Sequence, residues 1–106
     1  METKGNLRAL FIIVNAGFAD EVTEITRKTG VKGATVLNAR GEGAHHESFL
    51  GITVDTEKEI IMSVTDENTA EKAMAVIKEK AGIKTPVHGI CFTMPVDKTV
   101  GMNVTE

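Results

Sequence analysis

Four groups of residues in this 106-residue chain have types and spacings able to carry chemistry. The first is Arg40-Gly41-Glu42-Gly43, which closes the stretch from Gly30 to Gly43. It sets a permanent positive charge beside a Gly-x-Gly segment. The backbone N–H groups there can approach an anion closely, because glycine has no side chain in the way. A tight turn after a strand is the other reading of the same pattern. Glu42 opposes an anion unless it pairs with Arg40 or Lys84. The second group is Lys84, Thr85, His88 and Gly89, polar donors and a glycine within one loop. The third is His45-His46. Adjacent residues on an extended backbone point to opposite sides, so the two histidines hold one metal ion only if the loop bends. Pairing with His88 across a cleft gives a weak metal or pH-sensitive candidate, and solvated loop histidines are the plainer reading. The fourth is Cys91, which sits mid-strand among apolar residues and reads as a core thiol. Ser-x-x-Lys, Gly-x-Ser-x-Gly and Cys-x-x-Cys patterns are missing, so no catalytic residue is assigned and no enzyme is expected.

The elements that must position these groups follow from periodicity. Arg8–Val14 is a strand ending in the turn-like Asn15-Ala16-Gly17. A helix over about 18–29 places Phe18, Val22 and Ile25 on one face, with Asp20 and Glu21 in its first turn and Gly30 as its stop. Lys32–Ala39 is the second strand, 40–56 a loop or irregular hairpin, and Glu59–Val64 the third strand. Asn68-Thr69-Ala70-Glu71 reads as a capping box. It opens a second helix to about Lys80, with Ala70, Ala73, Met74, Ile77 and Ala81 on its apolar face and Gly82 ending it. Gly89–Val96 is the fourth strand, with Pro95 at its end or on an edge. The order β-α-β-β-α-β predicts an α+β, ferredoxin-like sandwich: a four-stranded antiparallel sheet with two helices on one face. One domain over 1–106 is expected.

Ala9–Val14 is apolar at every position, Ile90–Met94 nearly so, and Ile60-Ile61-Met62 breaks alternation as well. A sheet with helices on one face should alternate. Both faces are therefore expected to be covered, the second by other copies of the chain. Charged residues make up 25%, hydrophobic residues 42%, and the net charge is −3, which argues against nucleic acid as a partner. A single cysteine excludes an internal disulfide, and the first eight residues lack the apolar core of a signal peptide, so a cytoplasmic setting is expected.

On the Gly30–Gly43 stretch, the loop 44–56 and Gly89-Ile90-Cys91-Phe92-Thr93-Met94-Pro95-Val96, the chain resembles P-II signal-transduction proteins across nearly its full length. The resemblance implies a homotrimer with inward-facing sheets and an adenine nucleotide in the clefts between subunits. It also implies that loop 41–56 signals to a membrane transporter or a metabolic enzyme. It gives Thr35 as the strand position whose hydroxyl meets the base, and Arg40, Gly41, Glu42, Gly43, Lys84, Thr85, His88 and Gly89 as candidate ligand residues. Phe49, Leu50 and Ile52 are then candidate partner contacts, or else a strand extension against a neighbouring subunit. The chain departs from the family pattern in the facing loop. Ile90 stands where the family carries a phosphate-binding lysine, and Pro86, Val87 and His88 replace glycines. The segment after Val96 has no arginine, and the chain has no tyrosine. These departures imply a divergent member with a different ligand or weaker nucleotide binding. A metal-binding trimer similar to the copper-tolerance relatives and a ligand-free structural trimer are the alternatives.

Overall fold

The computed structural model describes residues 6–42, 47–49, 52–54 and 56–102, and for 47–49 and 52–54 the backbone alone. The elements are β1 (Leu7–Asn15), α1 (Ala19–Lys28), β2 (Thr35–Gly41), β3 (Glu47–Phe49), β4 (Ile52–Val54), β5 (Thr56–Asp66), α2 (Glu67–Lys80) and β6 (Ile90–Pro95). The main sheet runs β2-β5-β1-β6, and every neighbouring pair is antiparallel. Strands β3 and β4 form a separate hairpin. With that hairpin set aside, the order is the expected β-α-β-β-α-β.

The apolar run in β1 divides by parity. Leu10, Ile12 and Val14 point to the helix side and are fully buried, packed with Ile61 of β5, Val22 of α1 and Ala73 and Ile77 of α2. Phe11 and Ile13 point the other way. Phe11 lies opposite Met62 on β5 and Phe92 on β6, and Ile13 lies opposite Ile60 and Ile90. The Phe11 and Phe92 rings stack with centroids 5.2 Å apart and planes 11° from parallel. Among the described residues no helix packs on this second face. On it Leu37, Ile90, Phe92 and Met94 are 42–47% exposed. Apart from Gly101 and Met102, which line a groove with Phe11 and Met62, the described residues leave this face to be covered by other copies of the chain, as expected.

Several boundaries differ from expectation for identifiable reasons. β2 begins at Thr35, not Lys32, because the Gly33 carbonyl accepts a 2.6 Å hydrogen bond from the Ser63 hydroxyl instead of a ladder partner. At its other end β2 continues through Arg40 and Gly41, which pair with Glu57 and Thr56. β5 starts at Thr56 although Glu57-Lys58-Glu59 is polar. It is a central strand with ladders on both sides, and backbone pairing there outweighs side-chain polarity. The capping box at Asn68 is not formed. The N-cap of α2 is Asp66, whose Oδ1 accepts from Thr69 N at 2.8 Å and whose Oδ2 accepts from the Thr69 hydroxyl at 2.9 Å. Those two bonds hold the Asp66 carboxyl below its usual range. Helix α1 lacks a side-chain cap of its own, since Phe18 occupies the N-cap. The Glu59 carboxylate, reaching from β5, accepts from Gly17 N at 2.9 Å and Ala19 N at 3.1 Å instead. An acidic group is favoured there by the helix dipole. Gly30 ends α1 at φ +114°, a backbone angle that suits glycine.

Candidate functional site

The candidate residues lie at two places on the sheet. Arg40 and Gly41 end β2 at the same end of the sheet as the loop 82–89 that precedes β6. The two are at opposite edges, three strand spacings or about 14 Å apart. Asn15 and Lys58 fill the space between them. These two are register partners on β1 and β5. Lys58 Nζ donates to Asn15 Oδ1 at 2.8 Å. Asn15 Nδ2 donates to the Pro86 carbonyl at 2.9 Å, and Asn15 N donates to the Val87 carbonyl at 2.9 Å.

Beside Gly41 the space is partly taken by Lys58: a Cβ built on Gly41 would meet Lys58 Cε at 3.1 Å and Cγ at 3.3 Å, so the lysine stem runs close to the strand at that point. Gly43, His45 and His46 lie outside the described residues, as does Leu50. Phe49 and Ile52 are the facing residues of the β3–β4 hairpin. Glu42 follows directly on β2 and is exposed.

The loop 82–89 is built from its own hydrogen bonds. Thr85 N donates to Gly82 O at 3.0 Å, His88 N to Thr85 O at 3.0 Å and Gly89 N to Ala81 O at 2.8 Å. Those three amides are engaged within the loop and are not offered to a ligand in this arrangement. Gly89 is held so tightly over the end of α2 that a Cβ would strike the Ala81 carbonyl oxygen. His88 has φ +56°, which side chains rarely adopt. Its Nδ1 lies 3.0 Å from the Ile83 carbonyl. A carbonyl only accepts, so Nδ1 carries the hydrogen, and in the neutral ring Nε2 is left as an acceptor. The Thr85 hydroxyl donates to Gly82 O at 2.8 Å, and Lys84 is exposed beside it.

Thr35 is not part of this group. It lies five residues before Arg40, about 16 Å down the strand at roughly 3.3 Å per residue. It lines a separate groove of about 630 Å³ with Phe11, Lys32, Met62, Val64 and Met102. Residues from three strands converge with Gly101 and Met102, so adjacent positions in sequence give no sign of it. Composition and spacing equally miss Asn15 and Lys58. Their one signal is a polar residue closing an apolar strand and a lysine between two glutamates.

Cys91 is half-buried, and burial pushes its thiol pKa up, which fits the expected core thiol. It lies on an apolar groove of about 730 Å³ between α2 and the 82–89 loop. Among the described residues no group of three His, Cys, Asp or Glu side chains is placed to hold a metal ion. Among them also, no helix is long and apolar enough to cross a membrane.

The model of the family "Nitrogen regulatory protein P-II" matches residues 7–106. The chain belongs to the P-II family. P-II proteins are signalling regulators and not enzymes, so the expected absence of a catalytic assignment agrees with the family. Solved P-II structures share the fold. The GlnK–ATP complex of B. subtilis superposes with a TM-score of 0.72 at 18% identity, covering 97% of this chain and 94% of that one. A second structure of B. subtilis GlnK gives 0.67 at 19% identity, with 89% and 88% covered. CPII, a PII-like protein of Thiomonas intermedia K12 bound to ADP, AMP and bicarbonate, gives 0.64 at 18% identity, with 89% and 96% covered. No curated protein sequence matches the chain.

Proposed function

We propose that this P-II protein is a cytoplasmic trimeric sensor. In this reading an adenine nucleotide binds in the cleft between subunits, and the segment 41–56 passes its occupancy to a transporter or an enzyme. One observation carries the reading. The Thr35 groove and the end with Arg40, Lys84 and His88 sit at opposite ends of one sheet whose second face is apolar and carries no helix among the described residues. In the proposed trimer, copies that cover that face set the groove of one subunit against the Arg40 and Lys84 end of the next. The groove, mostly apolar with the Thr35 hydroxyl and the Lys32 ammonium at its margin, suits a flat base with a few polar edges. The opposite end supplies the positive charge that phosphates need.

The likeness to GlnK bound to ATP and to CPII bound to ADP, AMP and bicarbonate supports this class of ligand. The altered loop shapes it further. With Ile90 in place of a lysine and the amides of Thr85, His88 and Gly89 engaged, phosphate binding falls to side chains, which favours weaker binding than a backbone cradle gives.

Calorimetric titration with ATP, ADP, AMP and bicarbonate tests the reading, with mass measured by light scattering on the same sample. The expected result is a trimer that binds at least one adenine nucleotide. Thr35→Val should weaken base binding, and Lys84→Ala should weaken nucleotides with more phosphates most. A trimer that binds none of the four supports the structural alternative.

A further inference from the structure

We propose that Asn15 is the positioning residue that couples the root of segment 42–56 to the loop 82–89. It would do so through Lys58 on one side and the Pro86 and Val87 carbonyls on the other. The proposal deepens the sensor reading by naming a route within one subunit, and its test needs no ligand.

All three polar groups of Asn15 that bear on this end of the sheet are used, one toward Lys58 on β5 and two toward the loop 82–89. The side-chain amide has only one orientation that fits. Lys58 has hydrogens to give and no acceptor, and the Pro86 carbonyl has lone pairs and no hydrogen. Oδ1 must therefore face Lys58 and Nδ2 must face Pro86. The backbone N–H adds the bond to Val87 O. The bond from Lys58 is charge-assisted, the stronger kind. It holds the amide plane, and so it also holds the donor aimed at the loop.

The other end of the route is mechanical. The Lys58 stem lies where a Cβ on Gly41 would meet it, at 3.1–3.3 Å, and Gly41 is the last residue of β2 before segment 42–56. A shift of the strand end toward that stem presses on it. Just past β1, Ala16 N donates to Glu57 O at 3.1 Å and adds a second tie between the end of β1 and β5. The chain of contacts is therefore Gly41, Lys58, Asn15, then Pro86 and Val87. It crosses the sheet from one edge to the loop beside the other.

Coupling of this kind is reciprocal: what moves the loop moves the strand end, and the reverse. The identity of residue 15 matters in a specific way. Aspartate keeps the acceptor for Lys58 but replaces the donor to Pro86 with a second oxygen. Alanine loses both arms.

The test is hydrogen exchange on the ligand-free full chain, comparing wild type with Lys58→Met, Asn15→Ala and Asn15→Asp. Unfolding midpoints are measured in parallel to confirm that each variant folds. Lys58→Met should speed exchange of the His88 and Gly89 amides by about two- to fivefold, although it touches neither residue. Asn15→Ala should do so at least as much. The double variant should add little to Asn15→Ala, because both changes break one route. Asn15→Asp should loosen the loop while leaving the Gly41 and Thr56 end as in wild type. Exchange changes confined to residues near position 58 in Lys58→Met, with the loop amides unaltered, overturn the proposal. So do fully additive effects in the double variant. Failure to bind a nucleotide bears on the sensor reading alone and leaves this comparison intact.

Discussion

The two faces of the main sheet are cut from the same strands and meet opposite fates. On the helix side, Leu10, Ile12, Val14 and Ile61 are sealed under α1 and α2. On the other side, Leu37, Ile90, Phe92 and Met94 are just as apolar and nearly half exposed. Neighbouring residues of one run, such as Phe11 and Ile12, therefore serve different purposes. One set holds the subunit together. The other, with its Phe11–Phe92 stack, is available to hold subunits to each other. Apolarity alone does not say which residue does which. Parity along the strand and the side on which the helices pack decide it.

Substitutions on the two faces should separate these roles. Ile61→Ala, at a fully buried position, should cost about 2–5 kcal/mol of subunit stability, read from denaturant unfolding. Phe92→Arg on the uncovered face should leave the circular dichroism of the fold unchanged and shift the mass toward monomer in light scattering. A Phe92→Arg protein that unfolds, or one that stays fully assembled, breaks the distinction between the faces.

Smaller effects sharpen it from the helix side. Glu59→Ala removes the carboxylate that serves Gly17 N and Ala19 N, and should lower stability by roughly 1–2 kcal/mol, the range of a lost cap. Asp66→Ala should cost about 1 kcal/mol by thermal unfolding at neutral pH. That contribution depends on pH in a defined direction. The folded-state pKa of Asp66 is lowered, so its stabilisation is complete above the unfolded carboxylate value of about 3.9. It is lost as pH falls from there through the lower folded value. The gap between wild type and Asp66→Ala should therefore close below about pH 4.

Local patterns carry far in this chain and stop at definite places. The strand of six apolar residues, the stop at Gly30 and the face Ala70-Ala73-Ile77 are set by neighbours a few positions away, so they can be read directly. The start of α2 misleads, because Asn68-Thr69-Ala70-Glu71 and Asp66 both offer acceptable caps. Only the position of Thr69 N beneath Asp66 chooses between them. Glu57 and Lys58, before the expected start of the strand at Glu59, join it because β1 and β2 flank them. For Gly41, read as a phosphate approach, the fold adds a packing neighbour, since a Cβ there would meet the Lys58 stem.

The sequence by itself determined the element order, the apolar character of both sheet faces and the likeness to P-II proteins. All three depend on residue type at short spacing. Tertiary structure alone decided that Thr35 stands apart from Arg40, that Glu59 caps α1 from another strand, and that Asn15 and Lys58 bridge the sheet end. The last two rest on register and strand order, which bring together residues forty or more positions apart, and no local pattern encodes such pairings.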